Sequence, residues 1–139
     1  VLNTRNERRK EVLSKLNIDI TEVENIYETM EGSARYVEYS LYNMFSKIEA
    51  SQNLIKADTS FKNYAYFKNF KIEKEEWLYL TEKTTYYYAT GFNFIRLFDK
   101  LNIEYTKRLF QEEELTLENI LKEYKNKRKV TPYKINALF

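Results

Sequence analysis

The side chains best suited to chemistry in this sequence are cationic and gather near its two ends. Lys125, Lys127, Arg128 and Lys129 fall in KEYKNKRKVTPYK, where little demands burial, and Arg5, Arg8, Arg9 and Lys10 fall in TRNERRK. Such groups hold the phosphates of RNA or single-stranded DNA without reading base sequence. The charge is uneven. Residues 1–15 are net +3 and residues 122–139 net +5, which leaves −6 for the stretch between within a total of +2. Two readings fit: contact with a polyanion at the ends, or termini that are simply solvated.

Aromatic side chains are the second candidate. FKNYAYFKNFK (61–71) interleaves rings with lysines, and TTYYYATGFNF (84–94) sets three tyrosines in a row. Ring faces can stack unpaired bases. Yet Phe61, Tyr64, Phe67 and Phe70 share one helical face, so burial explains them without a ligand. Their lysines would then lie along the apolar edge with their heads in water. Tyr86, Tyr87 and Tyr88 point about 100° apart on a regular helix and cannot form one flat platform.

Much other chemistry is excluded. Histidine and cysteine are absent, which removes Ser-His-Asp and Cys-His catalysis, the common zinc sites and any disulfide framework. Gly32 and Gly91 are isolated, so no phosphate loop is present. The Glu-x-x-His pairs of di-iron bundles are missing as well. Carboxylates remain in Glu112-Glu113-Glu114 and around Glu73, Glu75 and Glu76. Adjacent glutamates on a helix diverge, and both clusters read as solvated surface. No catalytic residue, metal or cofactor is expected, and the chain does not read as an enzyme.

The elements that must position these groups are helical. Only 2 Gly and 1 Pro interrupt 139 residues, which disfavours turn-rich β folds and favours long helices. A first helix is expected through NERRKEVLSKL, burying Val12, Leu13 and Leu16 and ending near Asn17. Thr21 to Glu24 matches a capping box. Apolar residues then recur at Val23, Tyr27, Met30, Ala34, Val37, Leu41, Met44 and Ile48. Their spacing averages 3.5 residues, the period of a seam packed on another long helix. Gly32 inside it marks a close helix contact or a kink, and the unbroken heptads favour one continuous helix.

After a break near 57–60, a second seam runs through Trp77, Leu80, Thr84, Tyr87, Gly91, Phe94, Phe98 and Leu101, predicting a helix over about 74–101. Tyr86 and Phe92 fall off that seam, which suggests a helix covered on more than one side. A helix over 104–114 should turn Leu109 and Phe110 inward. Thr116 should cap a last helix that ends before Pro132. KLNIDIT (15–21) and KLNIEYT (100–106) echo each other as shared turn chemistry. The fold class expected is an all-α single-domain bundle of about five helices over 1–139, with a basic C-terminal segment at 122–139. The opening VLNTRNERRK has no apolar stretch of a signal peptide, and no run approaches a membrane span. A cytoplasmic protein without membrane contact is the expectation.

At WLYLTEKTTYYY (77–88) and ILKEYKNKRKVTPYKINALF (120–139) the chain resembles the C-terminal helical portion of the large subunits of type I CRISPR interference complexes. In some systems that portion is a separate small subunit. Glu82-Lys83 stand where the family pattern has a Gly-Gln pair, and residues 1–72 carry no resemblance. The resemblance implies a non-catalytic bundle among other protein subunits, touching RNA or single-stranded DNA through basic residues. The competing class is a small protein-binding inhibitor, such as a phage anti-defence protein or a toxin-immunity protein. Its acidic stretch, Asp19 to Glu31, could mimic nucleic acid. No small-molecule substrate is expected in either case.

Overall fold

Two asparagines set the turns that let the helices fold back on one another. The computed structural model describes residues 2–49, 51–57, 67–80, 82 and 84–130. Asn17 and Asn102 both adopt the left-handed conformation, with φ of 55° and 51°, which a short polar side chain tolerates better than most. The echoed KLNI sequences are therefore the same helix stop used twice. Between and around them lie α1 (Leu2–Leu16), α2 (Thr21–Phe45), α3 (Gln52–Ala57), α4 (Thr85–Leu101), α5 (Thr106–Gln111) and α6 (Leu117–Val130). The architecture is an all-α bundle, and no strand occurs among the described residues.

Helix α2 is continuous through Gly32, and the glycine is explained by α4. A Cβ at Gly32 would lie 2.3 Å from the Gly91 carbonyl carbon, and one at Gly91 would lie 2.1 Å from the Glu28 carbonyl oxygen. The two backbones touch at this crossing. Helix α4 buries a wide face there, including Gly91, Phe92, Phe94, Ile95 and Phe98. The core continues from Phe94, Ile95 and Phe98 into Leu117, Ile120 and Leu121 of α6, with Leu2, Tyr105 and Leu115 packed at its edge. Thr116 caps α6 as expected, accepting from the Asn119 N–H at 3.2 Å.

Several boundaries and faces differ from expectation. The second seam is not one helix. Short 3-10 turns occupy Ile72–Lys74 and Glu76–Leu78, and α-helix begins only at Thr85. Glu75, with φ −75° and ψ 115°, is extended and breaks the path between the two turns. Trp77 nevertheless reaches the core by meeting Phe92 edge-on at 5.2 Å. The capping box at Thr21 does not form. Ile20 precedes the first turn without a side-chain bond, and the Thr21 N–H is taken by Asp19 Oδ1 at 2.9 Å.

Helix α5 is shorter than 104–114, and Phe110 points outward with 82% of its surface exposed, although Leu109 is half-buried. On α1, Val12 is half-buried but Leu13 and Leu16 are exposed. The largest departure is on α2. Every residue of its heptad seam is exposed, from Val23 through Met30 (66%) to Met44, and so is Ile48 just past its end. Its buried positions are Glu24, Glu28 and Gly32. The glycine contact is the reason. Helix α4 can approach at backbone distance only on the face that carries Gly32, which leaves the apolar stripe outside.

Candidate nucleic-acid interface

Burying glutamates on α2 requires cations nearby, and α1 supplies them at matching spacing. Arg5 and Arg9 are four residues apart on one face of α1, as Glu24 and Glu28 are on α2. Arg5 donates through Nη1 to both Glu28 carboxylate oxygens at 2.5 and 2.6 Å and through Nη2 to Glu118 at 3.0 Å. Arg9 donates through Nε to Glu24 at 2.5 Å and through Nη2 to Glu118 at 2.6 Å. Asn25 Oδ1 accepts from both guanidinium groups. Arg8 pairs with the remaining Glu24 oxygen and lies 4.4 Å over the Tyr86 ring. Lys122 reaches Glu118 at 2.6 Å.

Three helices are thus joined by one charged network, in which Arg5 Nε and Arg8 Nε are buried without a hydrogen-bond partner. Burial by itself would lower the pKa of Arg5, but its bonds to Glu28 and Glu118 more than offset that and raise it. Burial would raise the pKa of Glu118, yet the bonds from Arg9, Lys122 and Arg5 hold it at about 2, below its ordinary 4.5.

This network withdraws most of the N-terminal basic cluster from any ligand. Arg5 and Arg9, 6% and 8% exposed, are committed to internal carboxylates. Each would have to give up those bonds to hold a phosphate. Arg8 is half-buried and held between Glu24 and Tyr86. Only Lys10 of that group stands on the surface.

The tyrosines of TTYYY are absorbed in the same way, each in a different direction. Tyr86 lies under Arg8, and Tyr87 stacks on Tyr27 with centroids 5.6 Å apart. Tyr88 lies under Arg35, whose guanidinium also covers Trp77. Phe92 meets Tyr36 and Tyr39 as well as Trp77. Phe67 and Phe70 pack on Tyr42 at 5.2 and 5.0 Å. These rings are internal packing. Phe61 and Tyr64 lie outside the described residues.

The C-terminal cations are placed differently. Lys125, Lys127 and Arg128 are exposed on the outer half of α6, while the Lys129 side chain and residues 131–139, Pro132 included, lie outside the described residues. Lys125 and Arg128 border a hollow of about 560 Å³ with Leu97, Leu101, Leu121 and Tyr124 on its floor. The Arg128 guanidinium sits 4.9 Å over the Tyr124 ring. A positive rim over an apolar, partly aromatic floor can hold phosphate and a base face together.

The carboxylate clusters do not converge. Glu112 is tied to Arg108, Glu113 and Glu114 are exposed, and Glu73, Glu75 and Glu76 spread over two 3-10 turns. Among the described residues, no group of three acidic side chains could hold a metal ion. No described helix is long and apolar enough to cross a membrane. The surface features that sequence reasoning missed are the outward stripe of α2 and Phe110. The matched spacing of Arg5/Arg9 with Glu24/Glu28 was the available signal, because it marks an inward face that competes with the apolar one. No family model matches this chain, and no curated protein or solved structure matches it.

Proposed function

We propose that this chain is a non-catalytic helical subunit of a larger assembly and contacts RNA or single-stranded DNA through the outer half of α6. The observation that supports this is the contrast between the two basic ends. The N-terminal arginines neutralise internal glutamates, whereas Lys125 and Arg128 are exposed and border an apolar hollow. The setting implied by the resemblance at 77–88 and 120–139 is a CRISPR effector-like nucleoprotein complex with other protein subunits.

The test is a binding titration with single-stranded RNA and DNA across a salt series. Micromolar affinity should weaken steeply with salt, and each phosphate contact removed should lower the log–log slope by about 0.7. Replacing Lys125, Lys127, Arg128 and Lys129 with alanine should abolish most binding. Arg5→Ala should change stability and leave the salt slope alone. Absence of binding at low salt rejects this reading for the isolated chain.

The second reading is a small protein-binding inhibitor, of the phage anti-defence or toxin-immunity kind, and the outward apolar face of α2 favours it. Nucleic-acid mimicry by the stretch from Asp19 to Glu31 is a weaker form of that reading, since Glu24 and Glu28 are neutralised inside the fold.

A further inference from the structure

We infer that the exposed stripe of α2 is a self-association surface, covered in solution by α2 of a second copy of this chain running antiparallel to it. The inference does not depend on nucleic-acid contact at α6. The stripe from Val23 to Ile48, with Ile26 beside it, is about half exposed at each large residue. Together these residues present on the order of 700 Å² of apolar surface. That exceeds the ~300–600 Å² of the largest patch on a typical monomer and approaches the ~800 Å² that each partner contributes to a stable interface.

The pattern then selects the kind of occupant. A 3.5-residue period along one unbroken 25-residue helix fits another helix at a shallow angle, and not a strand or an irregular loop. A second copy of this chain presents a helix with that same exposed seam, and a two-fold interface uses one patch twice. Small residues at Ser33, Ala34 and Ser40 leave room for close approach along the middle of the stripe. Beside it, Met30, Val37, Leu41 and Met44 form one wall of an apolar groove of about 470 Å³ whose other wall includes Leu109 and Phe110. The same partner helix would cover Phe110, which is exposed among the described residues.

Direction follows from the side-chain sizes. In a parallel, in-register pair Ala34 would face its own copy and leave a gap at the centre of the seam. In an antiparallel pair Ala34 meets the partner's Val37 and Met30 meets the partner's Leu41, so each layer is filled. Lys47 near one end of the stripe then falls beside the acidic start of the partner helix, where Asp19 and Glu22 are exposed.

Sedimentation equilibrium of the whole chain from about 1 to 200 μM tests this. A particle of twice the chain mass is expected. Met30→Glu and Leu41→Glu should each weaken self-association about 100-fold or more while the circular-dichroism spectrum is unchanged, because both positions are exposed in the single chain. The chain has no cysteine, so disulfide trapping reports orientation without background. Met30→Cys protein mixed with Leu41→Cys protein should cross-link under mild oxidation. A monomer at 200 μM, or a dimer indifferent to both glutamate substitutions, overturns the inference. Efficient cross-linking of Met30→Cys protein to itself overturns the antiparallel arrangement. Salt-dependent RNA binding leaves every one of these outcomes unchanged.

Discussion

Helices α2 and α4 carry apolar stripes of the same heptad period, and the fold treats them in opposite ways. On α4 the stripe is core: Gly91, Phe94 and Phe98 are buried. On α2 the stripe faces outward, and the buried positions are two glutamates and a glycine. The difference teaches that periodicity identifies an amphipathic face without naming what covers it. Helix α4 meets α2 where two glycines permit backbone contact, and that face of α2 is polar. The polar face is tolerable only because Arg5 and Arg9 arrive on α1 at the matching spacing. A buried ion pair that loses one partner leaves an uncompensated charge, so the arginines and glutamates depend on one another.

Glu28→Ala takes from the buried Arg5 guanidinium its two shortest hydrogen bonds and leaves it only those to Glu118 and Asn25, and urea unfolding should show a loss of about 3 kcal/mol. A loss below about 1 kcal/mol would mean that water reaches Arg5 and the network is not buried.

Next in size is the glycine crossing. Gly91→Ala places a methyl group against the Glu28 carbonyl, which belongs to backbone and cannot rotate away. The helices must separate, at about 1–3 kcal/mol or more. Gly32→Ala should cost a similar amount, and the measurement is the unfolding midpoint at constant m-value. An unchanged midpoint in both variants would place the α2–α4 contact elsewhere.

Acid sharpens the same contrast. Glu118 holds its proton less readily in the folded chain, at about 2, than the ordinary 4.5. Its contribution is therefore complete above pH 4.5 and disappears as pH falls through about 2. Stability measured between those values should drop in the native chain, and Glu118→Gln should flatten the drop while lowering stability at neutral pH. An identical acid profile in the variant would assign the acid loss to other carboxylates.

The smallest effect belongs to the outer stripe. Val37→Ser, read at sub-micromolar concentration so that only the single chain is observed, should shift stability by less than about 0.5 kcal/mol. A shift comparable with Glu28→Ala would show that the stripe is covered within one chain, and the distinction between the two faces of α2 would fall.

Particular residues show how far the sequence reached. Asn17 and the Thr116 cap were legible because turn and cap chemistry is local. The buried run from Gly91 to Phe98 was legible because five aromatic or aliphatic residues in eight leave a helix little choice. Phe92, off the expected seam, is fully enclosed, as a helix covered on more than one side requires. Phe110 was misplaced because a short helix exposes whichever side its neighbours do not reach. Arg5 and Arg9 read as surface cations because nothing near them in the chain is acidic enough to claim both. Their partners lie 15 to 113 residues away.

Local chemistry in the sequence determined that this chain is helical, where several helices stop, and which residues form amphipathic stripes. Those properties depend on backbone propensity, capping and spacing, all settled within a few residues. Only the tertiary structure decided which stripe became core, because that choice rests on contacts between distant positions. Gly32 and Gly91 allow one close approach, and three glutamates and three arginines from three helices neutralise one another at it. The apolar face of α2 was left outside by that choice, and Lys125, Lys127 and Arg128 of α6 stayed exposed.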